Sequence, residues 1–261
     1  SLGSSIATED GILIAGGNGT IFRIGVGNVS AYWKYPTKFA SLAYYNGNVL
    51  AGTWGDGLFV LRNGNPVYLL KQPQIPDDNV HGAFRDSRKL YWIATHQGVA
   101  RGNDFKTIRP FLTGSVKGRV ICFYELRNGS ICIGGSEGVY IVDKQGKLKT
   151  HLGQKEGLKG KEVRSFFEDH ENKLWIGTYN GGLYCYENGK LTPINSLQNC
   201  ELNSDVFTFV KDQYGYFNIT SNQGLWKVSE KDLNDFYRGK LDRLVPFYFG
   251  QETGILNTEF N

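Results

Sequence analysis

The chain has 261 residues, 40% of them hydrophobic and 14% aromatic, a composition that supports a sizeable core and excludes a disordered chain. Its 29 Lys and Arg against 25 Asp and Glu leave a net charge of +4, interspersed and without a basic run, which argues against nucleic acid as a partner. No apolar stretch approaches the roughly 20 residues needed to span a bilayer, while abundant glycine among aromatic residues points to many short strands joined by tight turns.

Taken in chain order, one pattern recurs. The segments "ILIAGG", "NVLAGT", "LYWIAT", "GSICIGG", "LWIGT" and "GYFNITS" align on Gly16, Gly52, Ala94, Gly134, Gly177 and Thr220, at spacings of 36, 42, 40, 43 and 43 residues. Upstream of each anchor an apolar residue opens a strand (Leu2, Phe39, Val80, Val120, Val163, Val206), and two residues on stands a small one: Ser4, Ser41, Gly82, Cys122, Ser165, Thr208. A small residue at one fixed place implies crowding, so this strand is placed innermost. A period near 42 with four strands per unit predicts an all-β fold, a β-propeller of four-stranded antiparallel blades. Its repeats run over 1–36, 37–77, 78–117, 118–160, 161–203 and 204–248, and 249–261 open a further blade, so the parent propeller is expected to have seven.

Unit by unit, turn chemistry supports this. Asn-Gly pairs, the strongest short hairpin signal, stand at Asn46-Gly47, Asn63-Gly64, Asn128-Gly129 and Asn188-Gly189. The fifth unit is the clearest: inner strand "VRSFFED", turn "HEN", second strand "KLWIGT", loop "YNGG", third strand "LYCYE", turn "NGK", outer strand "LTPI". Gly181 and Gly182 are expected to reverse the chain; no helix follows them, which removes the phosphate-cradle reading. In the sixth unit "SEKDLNDFYRG" predicts an inserted helix, with Ser229 as N-cap, Leu233, Phe236 and Tyr237 on one side, and Gly239 as its end. Trp92, Trp175 and Trp226 lie on strands and are expected in the core between blades. The start at Ser1 and the absence of Met read as a chain taken from something longer.

Cys122, Cys132, Cys185 and Cys200 lack C-x-x-C spacing, so zinc is not expected. Cys122 and Cys132 flank a hairpin turn; two buried thiols are the first reading and a cross-strand disulfide the second. His81, His96, His151 and His170 lack metal-ligand spacing. Neither metal nor cofactor is expected.

The topology puts the loops between second and third strands on the same face as the loops entering each inner strand. Candidate ligand residues there are Trp54, Asp56, His81, His96, Gln97, Arg119, Glu137, Arg164, Tyr179, Asn180, Asn222 and Gln223, with Lys117, Lys161 and Asp205 beside them. Trp54 and Tyr179 suit stacking on a pyranose, the amides and carboxylates suit hydroxyls, and Arg119 and Arg164 suit an acidic group. The competing reading is ordinary polar loops. Carboxylates on one face (Asp56, Glu137, Asp205) also admit glycan chemistry, and "EDHENKLW" resembles an Asp-box turn, though it lacks that motif's Ser and Thr.

The pattern V-x-x-φ-x-x-D, a short turn, then L-W-I-G-T-x-x-G-G-L, met nearly in full from Val163 to Leu183, resembles the two-component regulator propeller repeat. "VHGAFRDSRKLYWIATHQGV" and "VFTFVKDQYGYFNITSNQGL" keep its skeleton without the Trp or the Gly, and "SNQGLWKVSEKDLNDF" with "YFGQETGILNTEFN" is similar to the last blades of such sensors. The resemblance implies a periplasmic or extracytoplasmic sensor of a hybrid histidine kinase. It implies an oligosaccharide or other small ligand, and a preceding propeller and a following immunoglobulin-like domain in the same parent. It further implies a homodimer, and kinase catalysis in domains outside this chain. A protein-interaction scaffold is the alternative, and a glycan-active enzyme a more distant one.

Overall fold

In a computed structural model of the protein, residues 2–160, 162–194 and 205–255 are described. Lys161, Cys200 and the tail 256–261, all used above, lie outside the described residues, as does the side chain of Leu2. Among the described residues twenty-four strands form six four-stranded antiparallel sheets, each built from strands consecutive in sequence and paired in chain order. This is the blade pattern of a β-propeller. The chain divides into two compact units, Ser1–Ile121 and Cys122–Asn261, described separately below; the boundary falls within the first strand of the fourth sheet (Val120–Glu125).

The second strands of the second to fifth sheets show why hydrophobic alternation is lost in the sequence. Asn48–Thr53, Tyr91–Thr95 and Ile131–Gly135 are buried at every residue, and Leu174–Tyr179 at all but its last. Both faces of these strands meet apolar partners. In the first unit, Leu13, Ala15 and Ile21 pack on Val49, Ala51 and Phe59, while Leu50, Leu58 and Val60 pack on Val80, Tyr91 and Ile93. In the second unit, Cys132, Val139 and Ile141 meet Phe166, Ile176 and Tyr184, and Trp175, Leu183 and Cys185 meet Phe209, Phe217, Ile219 and Val228. Each fully buried Val, Leu, Ile or Phe contributes about 1.5–3 kcal/mol.

The two sequence markers turn out to be cross-strand partners. Ser41 pairs with Gly52, Gly82 with Ala94, Ser165 with Gly177 and Thr208 with Thr220. Crowding is the reason both are small. A Cβ on Gly177 would run into Ser165 Oγ and into Val206, which opens the next first strand; one on Gly52 would meet Ser41 Oγ and Val80. The small residue also reaches the neighbouring first strand: Leu42 N donates to Ser4 Oγ (3.1 Å), and Cys122 Sγ donates to the Val163 carbonyl (3.7 Å).

Between opener and small residue the register slips by one, a β-bulge, in the first, second, third and fifth sheets. The bulged residue is unpaired and its side chain is re-aimed. His81 and Arg164 occupy this position.

Several expectations need correction. Asn46-Gly47, Asn63-Gly64 and Asn188-Gly189 have positive φ at both residues, as a type I′ hairpin requires. Asn128-Gly129 does not: only Gly129 has positive φ, and Asn128 Oδ1 accepts from Ser130 N in a longer turn closed by Leu126. In the fifth-unit loop the left-handed residues are Asn180 (φ 60) and Gly182 (φ 82) rather than Gly181 and Gly182; Gly181 is required because a Cβ there would meet the Lys159 carbonyl. Phe249, assigned by spacing to a further unit, pairs with Leu225 in the outer strand Phe247–Phe249 of the sixth sheet. The inserted helix had displaced that strand in the sequence. The helix α1, Glu230–Tyr237, forms as expected, with Ser229 Oγ accepting from Asp232 N (2.9 Å) and Leu233 and Phe236 buried.

Cys122, Cys132 and Cys185 are free thiols rather than a disulfide framework. Burial pushes Cys122 and Cys185 up to about 12 and raises Cys132 as well.

Candidate functional site

In the second, third, fifth and sixth sheets a hydroxyl at the end of the second strand fastens the loop after it. Thr53, Thr95, Thr178 and Ser221 each donate through Oγ to the carbonyl of the glycine that opens the third strand: Gly57, Gly98, Gly182 and Gly224. All four glycines have positive φ. The loop backbone between hydroxyl and glycine is thus fixed at both ends, while the residues it carries differ from sheet to sheet. The segment leading into the following first strand forms the second wall. Gly57 N donates to the Asp78 carbonyl (2.8 Å) and His96 N to the Asn79 carbonyl (3.0 Å).

In the first unit these walls bring Trp54, His81 and His96 together. Trp54 is 47% exposed and meets the His81 ring edge-on, with centroids 4.9 Å apart. His81 Nε2 and His96 Nδ1 face each other at 3.3 Å. Asp56 accepts from Thr37 Oγ1 (2.7 Å) and lies 4.0 Å from Lys71 Nζ. Gln97 Nε2 donates to Asp77 Oδ2 (3.1 Å). Both side chains thus fix loops. Arg119 is half-buried just before the first strand of the fourth sheet.

In the second unit Arg164 is the centre. Its guanidinium lies 5.8 Å from the ring centroids of both Tyr179 and Phe207 and pairs with Glu162 Oε2 at 2.8 Å. Burial lowers its pKa. Asp205 clamps two loops at once: Oδ1 accepts from Asn180 N and Oδ2 from Asn222 Nδ2, each at 2.8 Å. The Gln223 carbonyl accepts from Tyr248 Oη at 2.5 Å. Glu137 borders a cleft of about 380 Å³ together with His151, Lys155, Lys159, Glu162 and Thr178. His151 stacks flat on Tyr140 (4.2 Å, 4°) and donates from Nε2 to the Glu137 carbonyl (2.8 Å).

Sequence reasoning missed Phe207 and Tyr248. Phe207 was legible in principle, because it stands between the opener Val206 and the small residue Thr208, as His81 and Arg164 do in their units. Tyr248 carries no such signal. Trp92 and Trp175 are fully buried, as expected of core residues, while Trp226 is half-buried and meets the Tyr248 ring at a tilt (4.7 Å, 43°). Among the described residues no group of three His, Cys, Asp or Glu is placed to hold a metal ion. No helix among them is long and apolar enough to cross a membrane.

Residues 157–180 match the two-component regulator propeller family, from the connector through the first strand of the fifth sheet to its second. The chain carries a two-component regulator propeller repeat. The match ends at Asn180, in the loop where the ligand candidates begin. No curated protein matches the chain. Among solved structures, the chain is similar over 99% of its length to the extracellular domain of the hybrid two-component system BT3049 from B. thetaiotaomicron (17% identity, TM-score 0.58). It is also similar over 99% of its length to PorZ, a surface component of the type-IX secretion system of Porphyromonas gingivalis (13% identity, TM-score 0.66). A third likeness is to virginiamycin B lyase from Staphylococcus aureus, in an inactive variant with quinupristin (10% identity, 99% of this chain and 86% of that one, TM-score 0.69). The chain spans 35% of the length of the first and 42% of the second. At these identities the likeness is of fold.

Proposed function

We propose that this regulator propeller is part of the extracytoplasmic sensor of a hybrid two-component histidine kinase and binds an oligosaccharide on the loops between second and third strands. The observation that carries this reading is the repeat match at residues 157–180 in a chain that aligns over 99% of its length with the extracellular domain of such a system. The loop chemistry supports it. In the first unit Trp54 offers an exposed apolar face; in the second, Arg164 offers a shielded cation and Asn180, Asn222 and Glu137 offer hydrogen-bonding groups.

In this reading a preceding propeller and a following immunoglobulin-like domain belong to the same parent chain, sensors pair as dimers, and a kinase core lies across the membrane. Gly250–Ile255 supports a seventh blade. Its 3-10 turn, Gln251–Thr253 capped by Gly254 at φ 91, repeats the turn Gln154–Glu156 capped by Gly157 at φ 93, which leads into the first strand of the fifth sheet. Signal passes only if the ligand binds one domain arrangement better than another. A second reading, a protein-contact scaffold without a small ligand, is favoured by the exposed Phe247, Tyr248 and Phe249 on one outer strand.

The test of the site is substitution. Trp54→Ala and Tyr179→Ala each weaken a calorimetrically measured oligosaccharide affinity by about tenfold, consistent with the 1–3 kcal/mol typical of losing an aromatic stacking platform. Unchanged affinity in both variants would move the site elsewhere.

A further inference from the structure

The His81–His96 pair has a geometry that loop recognition does not require. We propose that it is a two-histidine site for a divalent transition ion, zinc or copper(II). The facing nitrogens, Nε2 of His81 and Nδ1 of His96, are 3.3 Å apart. Zinc–imidazole bonds are about 2.0–2.1 Å, so two imidazole nitrogens on one tetrahedral centre stand about 3.3 Å apart. The gap therefore equals the bite of such an ion, and neutral imidazole is the ligand form.

The pair is also held in place. His81 is the bulged residue of the first strand Val80–Arg85, aimed by the register slip between Val80 and Gly82. His96 sits in the short loop between Thr95 and Gly98, its backbone N–H fixed to the Asn79 carbonyl and the loop closed by Thr95 Oγ1. Their fifteen-residue separation hides the pair from any spacing rule. In the ion-free pair one facing nitrogen donates its N–H to the other. Binding needs that ring to carry its proton on the outer nitrogen instead, so that both facing lone pairs meet at the metal and no net proton is released. Among the described residues no third His, Cys, Asp or Glu completes the set. The remaining coordination positions face solvent and accept water or an exogenous donor, as in open zinc sites.

Trp54 serves as a built-in reporter, its ring centroid 4.9 Å from that of His81. The experiment titrates the 261-residue chain with zinc chloride by calorimetry and with copper(II) chloride by tryptophan fluorescence, in a non-chelating buffer. The expected result is one ion per chain. His81→Ala and His96→Ala each weaken binding at least tenfold, and Trp54→Phe removes the quenched component while leaving the stoichiometry unchanged. His96→Gln, on an exposed turn and checked by circular dichroism, guards against misfolding and gives the same loss. Binding that survives both substitutions at His96, or that falls only with His170→Ala, would overturn the site, as would the absence of saturable binding.

Discussion

Trp175 Nε1 donates to Asp169 Oδ2 at 3.0 Å, closing the turn between the first and second strands of the fifth sheet from inside the core. The same carboxylate accepts from the backbone N–H groups of Glu171 and Lys173 and lies 3.3 Å from the buried Lys173 ammonium. Lys173 is further neutralised by Glu171 (2.5 Å) and bonded to Asn234 of α1 (2.6 Å), so one acidic residue organises a turn, a core indole and the docking of a helix. Asp86 and Trp92 repeat the arrangement at 3.0 Å in the third sheet.

Asp169→Ala accordingly leaves a buried indole N–H without its acceptor and a buried ammonium without one of its two carboxylates. Removing one partner from a buried ion pair costs about 3–5 kcal/mol. Urea unfolding of the wild-type and variant chains measures the difference, and a loss below 1 kcal/mol would contradict the role given to this residue.

Burial raises the Asp169 pKa, but hydrogen bonds from Trp175 and Lys173 and the Lys173 charge outweigh it, and the net shift is downward. A carboxylate with a depressed folded-state pKa contributes stability that is present above its unfolded value, about 3.9, and is lost as pH falls through the folded value. Stability is therefore expected to decline below about pH 4. Asp169→Asn, measured by the same unfolding assay across that range, shows a shallower decline.

Gly177→Ala places a methyl group against Ser165 Oγ and Val206 and is expected to cost about 1–3 kcal/mol by overpacking. The third sheet suggests the remedy, since there the same cross-strand pair is Gly82 with Ala94. The double variant Ser165→Gly, Gly177→Ala recovers most of the loss. A double-mutant cycle with no coupling would contradict the crowding explanation of the repeat.

Cys122, Cys132 and Cys185 have thiols raised by burial, to about 12 for Cys122 and Cys185. The thiolate is the reactive form, so a thiol reagent at pH 8 is expected to react with these three about 100-fold more slowly in the native chain than in urea. Peptide mapping of the labelled sites distinguishes them from Cys200.

The N-cap of α1 offers a smaller test. Ser229→Ala removes the acceptor for Asp232 N and should cost about 1 kcal/mol. Ser229→Asp, which restores an acceptor, should recover it.

Much of the fold was readable in the sequence because the repeat's two markers are physically one contact. A small residue and the anchor eleven or twelve positions later face each other across a strand pair. The loops could be placed because the Thr of "LWIGT" and the glycine opening the third strand frame them. What lay beyond reach depends on tertiary geometry. The place of His81 and Arg164 between opener and small residue is visible in the sequence, but that it is a bulge follows only from register with the second strand. The Asp169–Trp175 bond needs the turn to fold back on the strand. Phe249 was misplaced because α1 separates the outer strand of its sheet from the three before it.

The loop face of this propeller is proposed to receive a ligand. Isothermal titration of the chain, and of the longer extracytoplasmic region it is proposed to belong to, against a panel of neutral and acidic oligosaccharides tests it most directly. Saturable binding to at least one member of the panel is expected, weakened about tenfold by Trp54→Ala with the unfolding midpoint unchanged. No binding to any member by either protein would contradict it.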